Sequence, residues 1–127
     1  MAGSAGRCRD VDPGMMSAMK NLDSLADLDQ ALANRKGKMV LYKHSTACGV
    51  CDDAIEEVQA FVNARPSVAE FYYLDLLAHR DVSNAIALRL GVKHESPQAI
   101  VLEDGQVAAV LNHRAIRVAA LEKALRV

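Results

Sequence analysis

Residues 39–53 read MVLYKHSTACGVCDD, and the stretch changes character at its middle. Met39-Val40-Leu41-Tyr42 is a short apolar run that reads as a buried strand. From Cys48 onward the pattern turns helical: Ala54, Ile55, Val58, Phe61 and Val62 fall on one face, and Pro66 stops the helix. Two of the chain's three cysteines, Cys48 and Cys51, stand three residues apart at this strand-to-helix junction. A pair at that spacing is half a metal site, a redox couple or a coincidence.

Outward from the junction, strands and helices alternate. Upstream, Leu22, Leu25, Leu28 and Leu32 follow helical spacing, with Asp23 and Ser24 near the start and Gly37 beyond the end. Downstream, Phe71–Leu76 is a second strand, rich in aromatics. Asp81 and Ser83 are candidate caps for a helix through Val82, Ile86 and Leu90, ended by Gly91. Ala99–Leu102 and Val107–Leu111 flank the turn signal Asp104-Gly105 and form an antiparallel hairpin. Val118, Leu121 and Leu125 mark a last helix. Strands separated by helices pair in parallel, so the order predicts a mixed four-stranded α/β sheet with helices on both faces, the thioredoxin-like arrangement. The junction at Cys48 then lies at a carboxyl end of the sheet, where such folds place their sites.

Length and composition bound the rest. At 127 residues and 51% hydrophobic the chain suits one domain with a real core. Residues 1–20 carry Gly, Ser and Pro without periodicity and read as a disordered tail or an added leader; Met15, Met16 and Met19 each offer a possible start. The domain is then 21–127. No apolar run approaches a membrane span, and the N-terminus has no apolar region of a secretory signal. Fifteen basic and sixteen acidic residues are well mixed, giving a net charge of −1 without a basic face, so neither nucleic acid nor membrane is an expected partner. Three cysteines without an export signal argue for a reducing, cytoplasmic setting, where a CxxC is catalytic or metal-binding rather than a staple.

At a helix start, unpaired backbone N–H groups and the helix dipole favour a thiolate over a thiol. Cys48 is therefore the expected nucleophile. Cys51, one turn further in, has its Cα roughly 5–6 Å away, within disulfide reach, and is the expected buried, resolving thiol. Asp52 and Asp53 partly oppose thiolate formation. Ser45 and Thr46 either hydrogen-bond the thiolate or the exposed amides, or form a plain polar loop. His44 either tunes the thiol as a proton acceptor or ends the strand in a local hydrogen bond. Ser96-Pro97, at the head of the third strand, is either an ordinary trans turn, which general frequencies favour, or a cis bond. In thioredoxin-like proteins a proline at this place faces the active cysteine and offers the backbone before it to the substrate, and its position one helix after the second strand makes cis the expectation. Asp75 is expected at a strand end in solvent. Metal is the main rival reading. A zinc site wants a second ligand pair, and His44, His79, His94 and His113 are scattered singly, so no metal or other cofactor is expected. Cys8 reads as a tail cysteine without a role.

The segments KHSTACGVC (43–51) and LGVKHESPQAIVLEDGQV (90–107) resemble the bacilliredoxin family of the monothiol type, within the thioredoxin-like superfamily, over Asn21 to about Ile116. The resemblance implies a thiol–disulfide oxidoreductase that removes the low-molecular-weight thiol bacillithiol, as co-substrate, from mixed disulfides on partner proteins. It implies Cys48 as nucleophile and Ser96-Pro97 as the substrate-facing loop. The sequence departs from the family at Cys51, where monothiol members usually carry serine, and at Gly49. Asn112-His113-Arg114 lacks a tryptophan often present there. The alternatives are a general dithiol reductase of thioredoxin type, against which Ala47 in place of a tryptophan counts, and a non-catalytic metal- or partner-binding module.

Overall fold

The computed structural model describes residues 19–34, 36–46 and 49–127. The elements are β1 (Lys20–Asn21), α1 (Leu25–Ala33), β2 (Lys38–His44), α2 (Gly49–Ala64), β3 (Glu70–Asp75), α3 (Arg80–Leu90), β4 (Gln98–Glu103), β5 (Gln106–Asn112), a 3-10 turn (His113–Ala115) and α4 (Val118–Leu125). The sheet order is β1-β3-β2-β4-β5. β1, β3 and β2 run parallel, while β4 and β5 are antiparallel additions. The α/β arrangement with helices on both faces is the expected thioredoxin-like one.

The sheet has five strands, not four. β1 is two residues long and leaves no period-2 pattern. It forms because Met19 and Leu22 on either side of it are buried in opposite cores, stretching the chain along β3. Leu25 belongs to α1 but is an exposed hydrophobic; Leu28 and Ala31 carry the buried face, and Ser24 caps the helix by accepting from Asp27 N at 3.0 Å. The proposed caps of α3 are also corrected. The cap position is His79, without a side-chain bond; Asp81 lies inside the first turn and Ser83 is buried. Gly91 ends α3 in the left-handed conformation, and Asp104-Gly105 turns the hairpin with both residues at positive φ.

β2 has neighbours on both sides, and its alternation sorts two interiors. Val40 and Tyr42 face a core closed by Phe61 and Val62 of α2 and Leu121 and Leu125 of α4. Met39 and Leu41 face a second core closed by Leu28 of α1 and Val82 and Ile86 of α3. β2 is thus packed on both faces along its length.

Candidate active site at the end of β2

β2 does not stop at Tyr42 but runs on through Lys43 and His44, both buried, and Leu76 N donates to His44 O at 3.0 Å to fix the strand's exit. Period-2 geometry sends Tyr42 and His44 to the α2 side and Lys43 to the other. Tyr42 Oη lies 3.0 Å from His44 Nδ1 and 3.5 Å from the Cys51 carbonyl oxygen, to which it donates. The rings of Tyr42, His44 and Tyr73 form a cluster with centroids 5.7–6.2 Å apart. Burial lowers the His44 pKa, with Asp52 and Asp75 pulling the other way. Burial, then the charges of Asp75 and Cys51, pushes Tyr73 up to about 12. His44 therefore sits neutral at physiological pH, in a local hydrogen bond at the strand end.

Cys51 is in the first turn of α2 and fully buried. Its Sγ lies 3.7 Å from Ser96 Oγ. The Ser96–Pro97 bond is cis. The segment around it is held at several points: Gln98 Nε2 donates to Lys93 O at 2.9 Å, His113 N donates to Pro97 O at 2.9 Å, and Glu95 Oε1 is 3.1 Å from His113 Nε2. Sequence reasoning assigned Ser96 only its backbone; the hydroxyl on the Cys51 sulfur is an added contact. Ser45 is buried while Thr46 is exposed, so the two loop residues do not share a role. Asp75 is half-buried, its Oδ1 accepting from Leu77 N at 3.2 Å and Ala78 N at 3.4 Å, which makes it the cap of a turn. Cys48, with Ala47, lies outside the described residues, as do Cys8 and the rest of 1–18. α2 begins at Gly49, the residue following Cys48 in the chain.

Lys43 went unread in the sequence. Its Nζ donates to Ser83 O at 3.3 Å and lies 3.3 Å from His94 Nδ1, which Ser83 Oγ also approaches to 3.3 Å. Burial lowers its pKa to about 8. The signal was present, since a strand extended by two residues places Lys43 in the second core. Among the described residues no three His, Cys, Asp or Glu side chains cluster as metal ligands, and no helix is long and apolar enough to cross a membrane.

A buried cysteine in the first turn of a helix, Cys51, set against the cis Ser96-Pro97 bond at the end of a mixed sheet, is the arrangement of a thiol oxidoreductase of the thioredoxin-like class. The profile of the monothiol bacilliredoxin BrxC family matches residues 20–121, and the chain belongs to that family. Among solved structures it is similar to a protein described as having a thioredoxin fold, with oxidoreductase suggested as its activity (28% identity, 89% of this chain and 98% of that one, TM-score 0.79). Thioredoxin O2 of Arabidopsis thaliana shares 22% identity over 84% of this chain and 93% of its own, with TM-score 0.68. Fasciola hepatica thioredoxin shares 21% over 85% and 97%, with TM-score 0.67. These last two likenesses are of fold.

Proposed function

We propose that the protein reduces mixed disulfides between bacillithiol and protein cysteines in the cytoplasm, with Cys48 as nucleophile and Cys51 as resolving thiol. The Cys48 thiolate attacks the bacillithiol sulfur, forming Cys48–S–S–bacillithiol and releasing the protein thiolate. Cys51 then loses its proton and attacks Cys48 sulfur, releasing bacillithiol as thiolate and leaving a Cys48–Cys51 disulfide. An external dithiol or thiol reductant supplies the two electrons that reopen it. Membership of the bacilliredoxin family supports the substrate. The single observation that supports a resolving role is the buried Cys51 sulfur 3.7 Å from the Ser96 hydroxyl, a group able to donate to a thiolate once one forms there. Ser45, Thr46 and the Ser96-Pro97 backbone are assigned to holding the substrate.

The test is mass spectrometry after challenge with a bacillithiol-blocked protein. Wild type should end as an internal disulfide, Cys51→Ser as a stable bacillithiol adduct on Cys48, and Cys48→Ser should be inactive. If wild type accumulates the same adduct as Cys51→Ser, the monothiol route operates and Cys51 does not resolve. A second reading, a general dithiol reductase, is favoured by Cys51 itself, a second thiol that a monothiol route does not need. Equal rates on bacillithiol-blocked and ordinary protein disulfides would establish it.

A further inference from the structure

α2 carries a second, solvent-facing wall beside its buried one. Val50, Asp53 and Glu57 recur at helical spacing and face the 3-10 turn and its exit across a groove of about 270 Å³, lined on that side by His113, Arg114 and Arg117. That volume is just below the range of small-ligand clefts and suits a fragment the size of an amino acid or a sugar acid.

The charges in the groove divide into engaged and unengaged. Glu57 Oε1 accepts from Val118 N at 2.8 Å and lies 3.6 Å from Arg117 Nε, so both side chains brace the start of α4. The side chains of Arg114, Asp53 and Glu56 make no hydrogen bond or ion pair among the described residues. His113 joins this wall to the cis-proline segment. It is held at φ 54, a conformation a non-glycine residue rarely keeps without support, and its two bonds to Pro97 O and Glu95 supply that support. Groove and substrate-facing loop are therefore one construction, at the end of α2 that follows Cys48.

We propose that this groove binds the non-reacting part of a low-molecular-weight thiol carrying both a carboxylate and an ammonium group. Arg114 takes the carboxylate in a paired hydrogen bond, and Asp53 with Glu56 takes the ammonium. A purely anionic thiol would meet the unpaired carboxylates of Asp53 and Glu56, and a purely cationic one would meet Arg114. The groove thus discriminates by charge pattern. This inference rests on the thiol-exchange reading for its biological meaning, and the experiment separates the two.

Four disulfides are compared: cystine, with both charges; dithiodipropionate, anionic; cystamine, cationic; and the neutral 2-hydroxyethyl disulfide. Wild type should favour cystine over the neutral compound by about tenfold in kcat/KM, the worth of one good charge-assisted contact. Arg114→Ala should cut the cystine-to-neutral and dithiodipropionate-to-neutral ratios about tenfold, and Asp53→Asn with Glu56→Gln should cut the cystine and cystamine ratios by a similar factor. A flat wild-type series, or Arg114→Ala within twofold of wild type in the cystine ratio, overturns the proposal. The unreactive zwitterion S-methylcysteine gives a readout independent of exchange. It should shift the amide resonances of Asp53 and Arg114 in wild type and leave Asp53 unmoved in Arg114→Ala. Those shifts without turnover of any disulfide would uphold the groove and sink the exchange reading; turnover without them would do the reverse.

Discussion

Lys43 and His44 are consecutive, both buried, and both held below their ordinary pKa by burial, yet they belong to different interiors. His44 shares the thiol side with Tyr42, Tyr73 and Cys51, where its partners are a hydroxyl and aromatic faces. Lys43 lies on the far side among Ser83, His94 and the apolar core under α3. Its cross-strand neighbour Gln98 is buried on the same side, with Oε1 lacking a hydrogen-bond partner among the described residues. The same direction of pKa shift therefore has two consequences. On the thiol side a neutral imidazole rests in a local hydrogen bond with the Tyr42 hydroxyl. On the far side an ammonium is kept at a desolvation cost and ties β2 to α3 and to His94, two residues before Ser96.

The largest way to break this contrast is to remove Lys43. Lys43→Ala deletes a fully buried stem and should cost about 3 kcal/mol in urea unfolding at neutral pH, while Lys43→Met, which keeps the volume and drops the charge, should restore most of it. If Met is as damaging as Ala, the ammonium's hydrogen bonds, not its stem, hold the site.

The next effect is in pH. The folded Lys43 pKa is about 8 and the unfolded value 10.5, so between those values the unfolded chain binds more protons. Stability contributed by this residue therefore rises as pH rises from about 8 toward 10.5. After solvent screening the gain should be about 1 kcal/mol. Tyr73 works in the opposite direction above its ordinary 10, because its folded pKa is raised to about 12 and the unfolded phenol ionises first. Wild type should thus peak near pH 10, and subtracting the Lys43→Met curve isolates the lysine arm.

Most of the fold was legible because it is written in periods: the α2 face from Ala54 to Val62, the Asp104-Gly105 hairpin and the Gly91 stop all match. β1 was not, since two residues carry no period, and its pairing with β3 is set by the burial of Met19 and Leu22. In the site, the cis Ser96-Pro97 bond was readable from its place in the chain order. The contacts of Ser96 Oγ, Tyr42 Oη and Lys43 Nζ were not, because each spans elements whose relative placement only the packed sheet defines. Reading β2 as ending at Tyr42 hid Lys43, whose polarity masks a strand residue with a buried stem.

The smallest expected effect tests the thiol side. Tyr42→Phe keeps the ring in its core and removes the hydroxyl that meets His44 Nδ1 and the Cys51 carbonyl, so it should cost about 1 kcal/mol, the ordinary worth of a buried hydrogen bond. The folded His44 pKa is below the unfolded value, so the unfolded chain binds more protons in the imidazole range and stability falls as pH drops through the ordinary histidine value of 6.5. His44→Gln should flatten that acid limb, while Lys43→Met should leave it intact, since Lys43 holds its proton in both states there. A histidine variant that leaves the acid limb unchanged would mean that folding does not shift the His44 pKa. The two neighbouring residues would then not differ in the way their surroundings require.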